Sequence, residues 1–116
     1  MSYVVKLIRI DAPADIFDVP DAYVMRRKRV PVALVDEMAE LRRLNKADAK
    51  DNLYAIMAQV YPEWQGIVDV VTGEALPNPA DDAAVFDRLD VIEQLPWLGQ
   101  MMRANPKVGK STPAQI

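Results

Sequence analysis

Apolar and polar positions alternate along residues 3–10, with Val4, Lys6, Ile8 and Ile10 on one face and Tyr3, Val5, Leu7 and Arg9 on the other. That period of two predicts a β-strand. Asp11-Ala12-Pro13-Ala14 reads as a turn, and residues 15–19 as a short second strand returning antiparallel before Pro20-Asp21 breaks it. Residues 22–30 read as a third strand or a helical turn, with strand favoured because Pro31 disfavours helix at Val30 and the segment holds β-branched residues. The period then changes. Leu34, Met38, Leu41 and Asn45, with Val35 and Leu44 beside them, form an apolar stripe, and Asp36, Glu37, Glu40, Arg42 and Arg43 lie outside it. This predicts a helix over 31–45 with Pro31 in its first turn. Ala49, Leu53, Ile56, Met57 and Val60 place a second helix over 47–60, ended by Pro62. So short a connection predicts a helical hairpin.

Residues 61–79 form a connector with its own apolar content, punctuated by Pro62, Thr72-Gly73 and Asn78-Pro79. Asn78 can cap a further helix with Pro79 at its first position and Asp81 and Asp82 in its first turn. Val85, Phe86, Leu89 and Ile92 would be its buried side, giving a helix over 80–94, and Pro96 would force a break before a last helix over 96–104. Residues 105–116 hold two prolines, a glycine, two lysines and little to bury, which predicts a flexible tail. The expected fold is α+β and mainly α: a small N-terminal β-hairpin or three-stranded sheet packed on a bundle of about four helices. It forms one domain over 1–104.

Composition narrows the chemistry. The 116 residues are 51% hydrophobic, enough for one core, and contain neither cysteine nor histidine. Disulfides, thiolate catalysis, cysteine-ligated zinc and histidine proton shuttles are therefore excluded. No apolar run nears the roughly 20 residues of a membrane span, and the first ten residues lack the basic start of a signal peptide, so a cytoplasmic, membrane-free protein is expected. The net charge of −3 conceals an asymmetry: residues 1–50 carry ten Lys/Arg against eight Asp/Glu, and 51–116 four against nine. Such polarity can steer docking or head-to-tail self-association, or only keep a surface solvated.

Several local patterns approach a chemical motif and stop short. Residues 104–111 end in Gly109-Lys110-Ser111 but lack the first glycine of a phosphate-binding loop, and only five residues follow where a helix is needed. Asp11, Asp15, Asp18 and Asp21 recur at short spacing without the glycine and terminal glutamate of a calcium loop, and read as solvated or turn-capping carboxylates. No spacing singles out a carboxylate pair for acid–base work. No catalytic residue, metal or cofactor is predicted. Arg26, Arg27, Lys28 and Arg29 form the densest basic cluster, which reads as a solvated or partner-facing strand before it reads as a nucleic-acid contact. Trp64 and the group Trp97, Leu98, Met101 and Met102 are the other candidates for partner binding, since Trp and Met are adaptable interface residues; the alternative for each is ordinary core.

Pro62-Glu63-Trp64, the connector Gly73-Glu-Ala-Leu-Pro-Asn-Pro79, the stretch from Val85 to Leu89 and the closing segment 96–104 together resemble the C-terminal part of the tail assembly chaperones of long-tailed bacteriophages. The resemblance covers residues 53–104. It implies a non-enzymatic helper in the host cytoplasm that coats the tape measure protein, helps recruit tail tube protein, and leaves before the virion is mature. It also implies that this is the short form of a pair, the longer made by ribosomal frameshifting. Val108-Gly109-Lys110 can be spelled GTG GGA AAG, which contains the slippery heptamer G GGA AAG, and reading the gene would decide whether it does. The alternatives are a structural tail or connector component that stays in the particle, and a small DNA-binding regulator using Arg26 to Arg29, for which no nucleic-acid motif is otherwise present.

Overall fold

The computed structural model describes residues 5–44 and 49–104. The expected tail at 105–116, its near-miss phosphate loop and frameshift tripeptide, and the turn at Asn45-Lys46 lie outside these residues.

Three antiparallel strands, β1 (Leu7–Asp11), β2 (Tyr23–Arg27) and β3 (Glu63–Gln65), form a sheet in that order. Ile10 pairs with Val24, Ile8 with Arg26, and Val24 with Trp64, so one face carries Ile8, Ile10, Val24, Arg26 and Trp64 towards the helices. The other face is mixed and solvated, with the Arg9 guanidinium lying 4.1 Å over the Tyr23 ring. The strand that returns against β1 is therefore the one expected third. Residues 15–19 do not form a strand. They begin as a single helical turn, α1 (Ala14–Phe17), entered from Pro13 and ended by Asp18 in the left-handed region at φ 61°. Aspartate tolerates that conformation, and the turn buries Phe17 completely where an alternating strand would have shared burial with its neighbours.

The helical hairpin is as expected: α2 (Val32–Leu44) and α3 (Ala49–Val60) pack on each other. Leu34, Val35, Met38 and Leu41 occupy the inward side of α2, and Ile56, Met57 and Val60 the buried side of α3, joined by Tyr54. The connector is structured throughout. β3 buries Trp64, whose ring meets Phe86 edge-on at 5.5 Å, and Val68 bridges Ala75 across a tight turn. Gly66 adopts φ 78°, and a Cβ there would lie 3.1 Å from Ala22, so β3 can leave the sheet at this point only through glycine.

The helix expected over 80–94 is corrected to a 3₁₀ helix, Ala83–Arg88, followed by turns. Its cap is Asp82, whose carboxylate accepts the Ala84 amide at 3.1 Å; Asn78 instead accepts the Trp64 amide at 3.2 Å and ties the connector to β3. Val85, Phe86 and Leu89 are buried as expected, whereas Ile92 is 75% exposed, because Asp90 turns the chain by accepting the Glu93 amide. Nor does Pro96 break the last helix. α4 (Gln94–Arg103) starts two residues earlier, so Pro96 sits in the first turn, where its missing N–H is one of the donors left unpaired in any case.

The Val68–Ala75 turn is held by one carboxylate. Asp69 accepts the amides of Val71 at 2.6 Å and Thr72 at 2.9 Å and pairs with Arg88 on the 3₁₀ helix. Those backbone donors first, and Arg88 second, hold its pKa below the usual 3.8. A carboxylate with a depressed folded pKa adds stability above its unfolded pKa, and the addition is lost as pH falls through the folded value. Asp69→Asn should therefore melt below the parent at neutral pH, with the gap closing as pH drops below about 3.8. A gap in melting temperature that is constant between pH 7 and pH 3, by about the same number of degrees, would show that the charge is not what holds the turn.

Candidate functional site

α4 is held chiefly through side chains. Trp97 packs edge-on against Phe17 at 5.3 Å, and Leu98 is fully buried. Gln94, also buried, donates to the Ile16 carbonyl at 3.1 Å and accepts the Asp90 amide at 2.9 Å. The Tyr61 hydroxyl donates to the Leu98 carbonyl at 2.5 Å, and burial pushes this phenol well above its usual range. Arg26 closes the far end. Only 4% exposed, it donates to the carbonyls of Met101 at 2.6 Å and Ala104 at 2.7 Å, and to that of Arg27 at 3.0 Å, so a buried guanidinium caps the C-terminus of α4, where the helix dipole favours a cation.

These contacts sort the residues that the sequence offered for partner binding. Trp64, Trp97 and Leu98 are buried in the core, and Met102, 5% exposed, shows only an edge, on the side away from the sheet; the rest of the apolar segment expected at the end of the chain is held against Arg26 of the sheet, Phe17 of α1 and Tyr61. Met101 is half-buried. Arg26 is committed to the interior, which leaves half-buried Arg27 and exposed Lys28 and Arg29 as the basic surface of that run. Among the described residues no cluster of carboxylates is disposed to hold a metal ion.

What the structure does bring together is a groove between α2 and α4, floored by α3. One part, of about 990 Å³, lies between α2 and α4, and a second, of about 330 Å³, runs on towards α3. Met38, Arg42, Leu95, Gly99 and Met102 line both, so they are two ends of one feature. Met38, Met57 and Met102 form a floor of unbranched, adaptable side chains. Val91, 67% exposed, stands at the mouth. The charged residues along the lining are all cations: Arg42, Arg103 and Lys50, of which Lys50 pairs with Asp87 at 3.2 Å. α2 packs mainly on α3, which is why its apolar stripe is only half covered. The periodicity of α2 located that stripe, but nothing in a helical pattern states how far the opposite helix stands away.

The described residues thus form a small α+β arrangement with a methionine-lined groove beside α4. No family model, curated protein or solved structure matches the chain.

Proposed function

We propose that this chain is a phage tail assembly chaperone, a non-catalytic protein that holds the tape measure protein and assists tail tube assembly in the host cytoplasm, with no cofactor. The reading rests on the resemblance over residues 53–104, and the observation that carries it furthest is the open groove beside α4, of a size to take a helical segment of another protein. A methionine floor suits a client with many similar segments, since thioether side chains repack around different shapes.

Co-expression with the tape measure protein of the same genome is the test. The tape measure protein is expected in the soluble fraction only when this chain is present, and purified tails should lack the chain. Equal solubility without it removes the chaperone reading, while retention in purified particles assigns a structural tail component instead.

A further inference from the structure

Gly99 lies in the interior of α4, where glycine is less favourable than alanine. Glycine in a helix is usually kept by a neighbour too close to admit a methyl group, but a Cβ at Gly99 would meet nothing within 4 Å. The residue faces the groove and has no steric reason inside the described fold. A small residue there opens space for a second backbone to approach α4, as small residues do where helices pack closely. Ala39, exposed on α2, faces the same space.

The lining also has a sign. The chain has more acids than bases, 17 against 14, yet Arg42, Arg103 and Lys50 line the groove with no carboxylate among the lining residues. Arg42 and Arg103 form no ion pair among the described residues. Residues 105–116 carry two lysines and no acidic side chain, the wrong sign to satisfy this rim. The α2 wall of the groove runs from Val35 to Arg42, about 12 Å or two turns of a helix laid along it.

We infer that the groove binds an amphipathic α-helix of a partner protein, laid along α4 in close contact at Gly99, with its apolar face on Met38, Met57 and Met102 and flanking carboxylates on Arg42 and Arg103. This deepens the chaperone reading and rests on it only for the partner's identity; the groove and its charge stand without it.

The test uses the full chain and two labelled synthetic peptides of about 16 residues, roughly four helical turns. Both carry leucines on one face, and the flanks are glutamate in one and lysine in the other. Fluorescence anisotropy should show the glutamate peptide binding and the lysine peptide binding at least about tenfold more weakly, with the difference shrinking as salt rises. Gly99→Leu should abolish binding while melting at or above the parent temperature, and the double variant Arg42→Glu, Arg103→Glu should reverse the preference. Equal affinity for the two peptides, or full binding by a folded Gly99→Leu variant, overturns the assignment. A dimer in sedimentation that Gly99→Leu abolishes would put a second copy in the groove and overturn it too. Failure of the wild-type chain to hold the tape measure protein, with the peptide preference intact, would remove only the chaperone reading. Tape measure solubilised equally well by the groove variants would remove only this inference.

Discussion

Arg26→Met should lower unfolding free energy by about 3–5 kcal/mol, the largest single loss expected on the sheet side of the molecule. Methionine keeps most of the apolar stem, so the change isolates the guanidinium. The carbonyls of Met101 and Ala104 would lose two short charge-assisted hydrogen bonds at the end of α4, and water cannot simply replace a donor at a site only 4% exposed. Stabilities of domains this size are roughly 5–15 kcal/mol, so the variant should sit near the edge of folding. Urea denaturation should show a midpoint shift with an unchanged slope. Arg26→Lys should fall between, because one ammonium cannot serve the Met101 and Ala104 carbonyls, which take a single guanidinium nitrogen, and also the Arg27 carbonyl, which takes Nε. Lys28→Met, two residues on and exposed, should change stability by no more than about 0.5 kcal/mol. A loss below about 1 kcal/mol for Arg26→Met would mean that solvent reaches those carbonyls and that the cap is dispensable.

The inward placement of Arg26 was legible, though the density of charge around it argued the other way. In a strand alternate residues share a face, so once Val24 is assigned to the core, Arg26 must follow it, whatever its neighbours Arg27, Lys28 and Arg29 do. The same parity fixed β1, and the 3.6-residue period fixed α2 and α3, because long amphipathic stripes are averaged over several turns and resist local exceptions. Short elements have no such averaging. The segment at 15–19 holds an isoleucine, a phenylalanine and a valine, as a strand would, and only the left-handed Asp18 and the burial of Phe17 against Trp97 decide for a turn of helix. β3 is three residues long and exists because Trp64 pairs with Val24, a contact between segments some forty residues apart that no local pattern encodes. The 3₁₀ helix likewise has the apolar spacing of an α-helix, and Asp90 ends it through a side-chain contact with Glu93. For the groove, Gly99 was the available signal: a glycine inside an amphipathic pattern asks for a reason, and packing among the described residues is not that reason.

Trp97→Ala should cost about 3–5 kcal/mol and lower the melting temperature by more than about 10 °C, a loss on the scale of Arg26→Met but arising from packing. Trp97 is 9% exposed, stacks edge-on against Phe17, and is followed by the fully buried Leu98, so truncation opens a cavity between α4 and α1 that neither short element can close by moving as a body. Met101, half-buried at the surface of the same helix, should lose only about 1 kcal/mol on replacement by serine. The contrast matters for reading any binding experiment on α4. A Trp97 variant that fails to hold a partner would report a helix detached from its core, because the indole has no outward face to offer; a Gly99 variant fails or succeeds with the core intact. Trp64 remains as an internal reporter in the Trp97 variant, since its own partners are Phe86 and the Leu76 carbonyl, and its emission should stay that of a buried indole until the molecule unfolds. Unchanged melting of Trp97→Ala, with partner binding lost, would return Trp97 to the surface as a direct anchor and remove the side-chain docking of α4 described above.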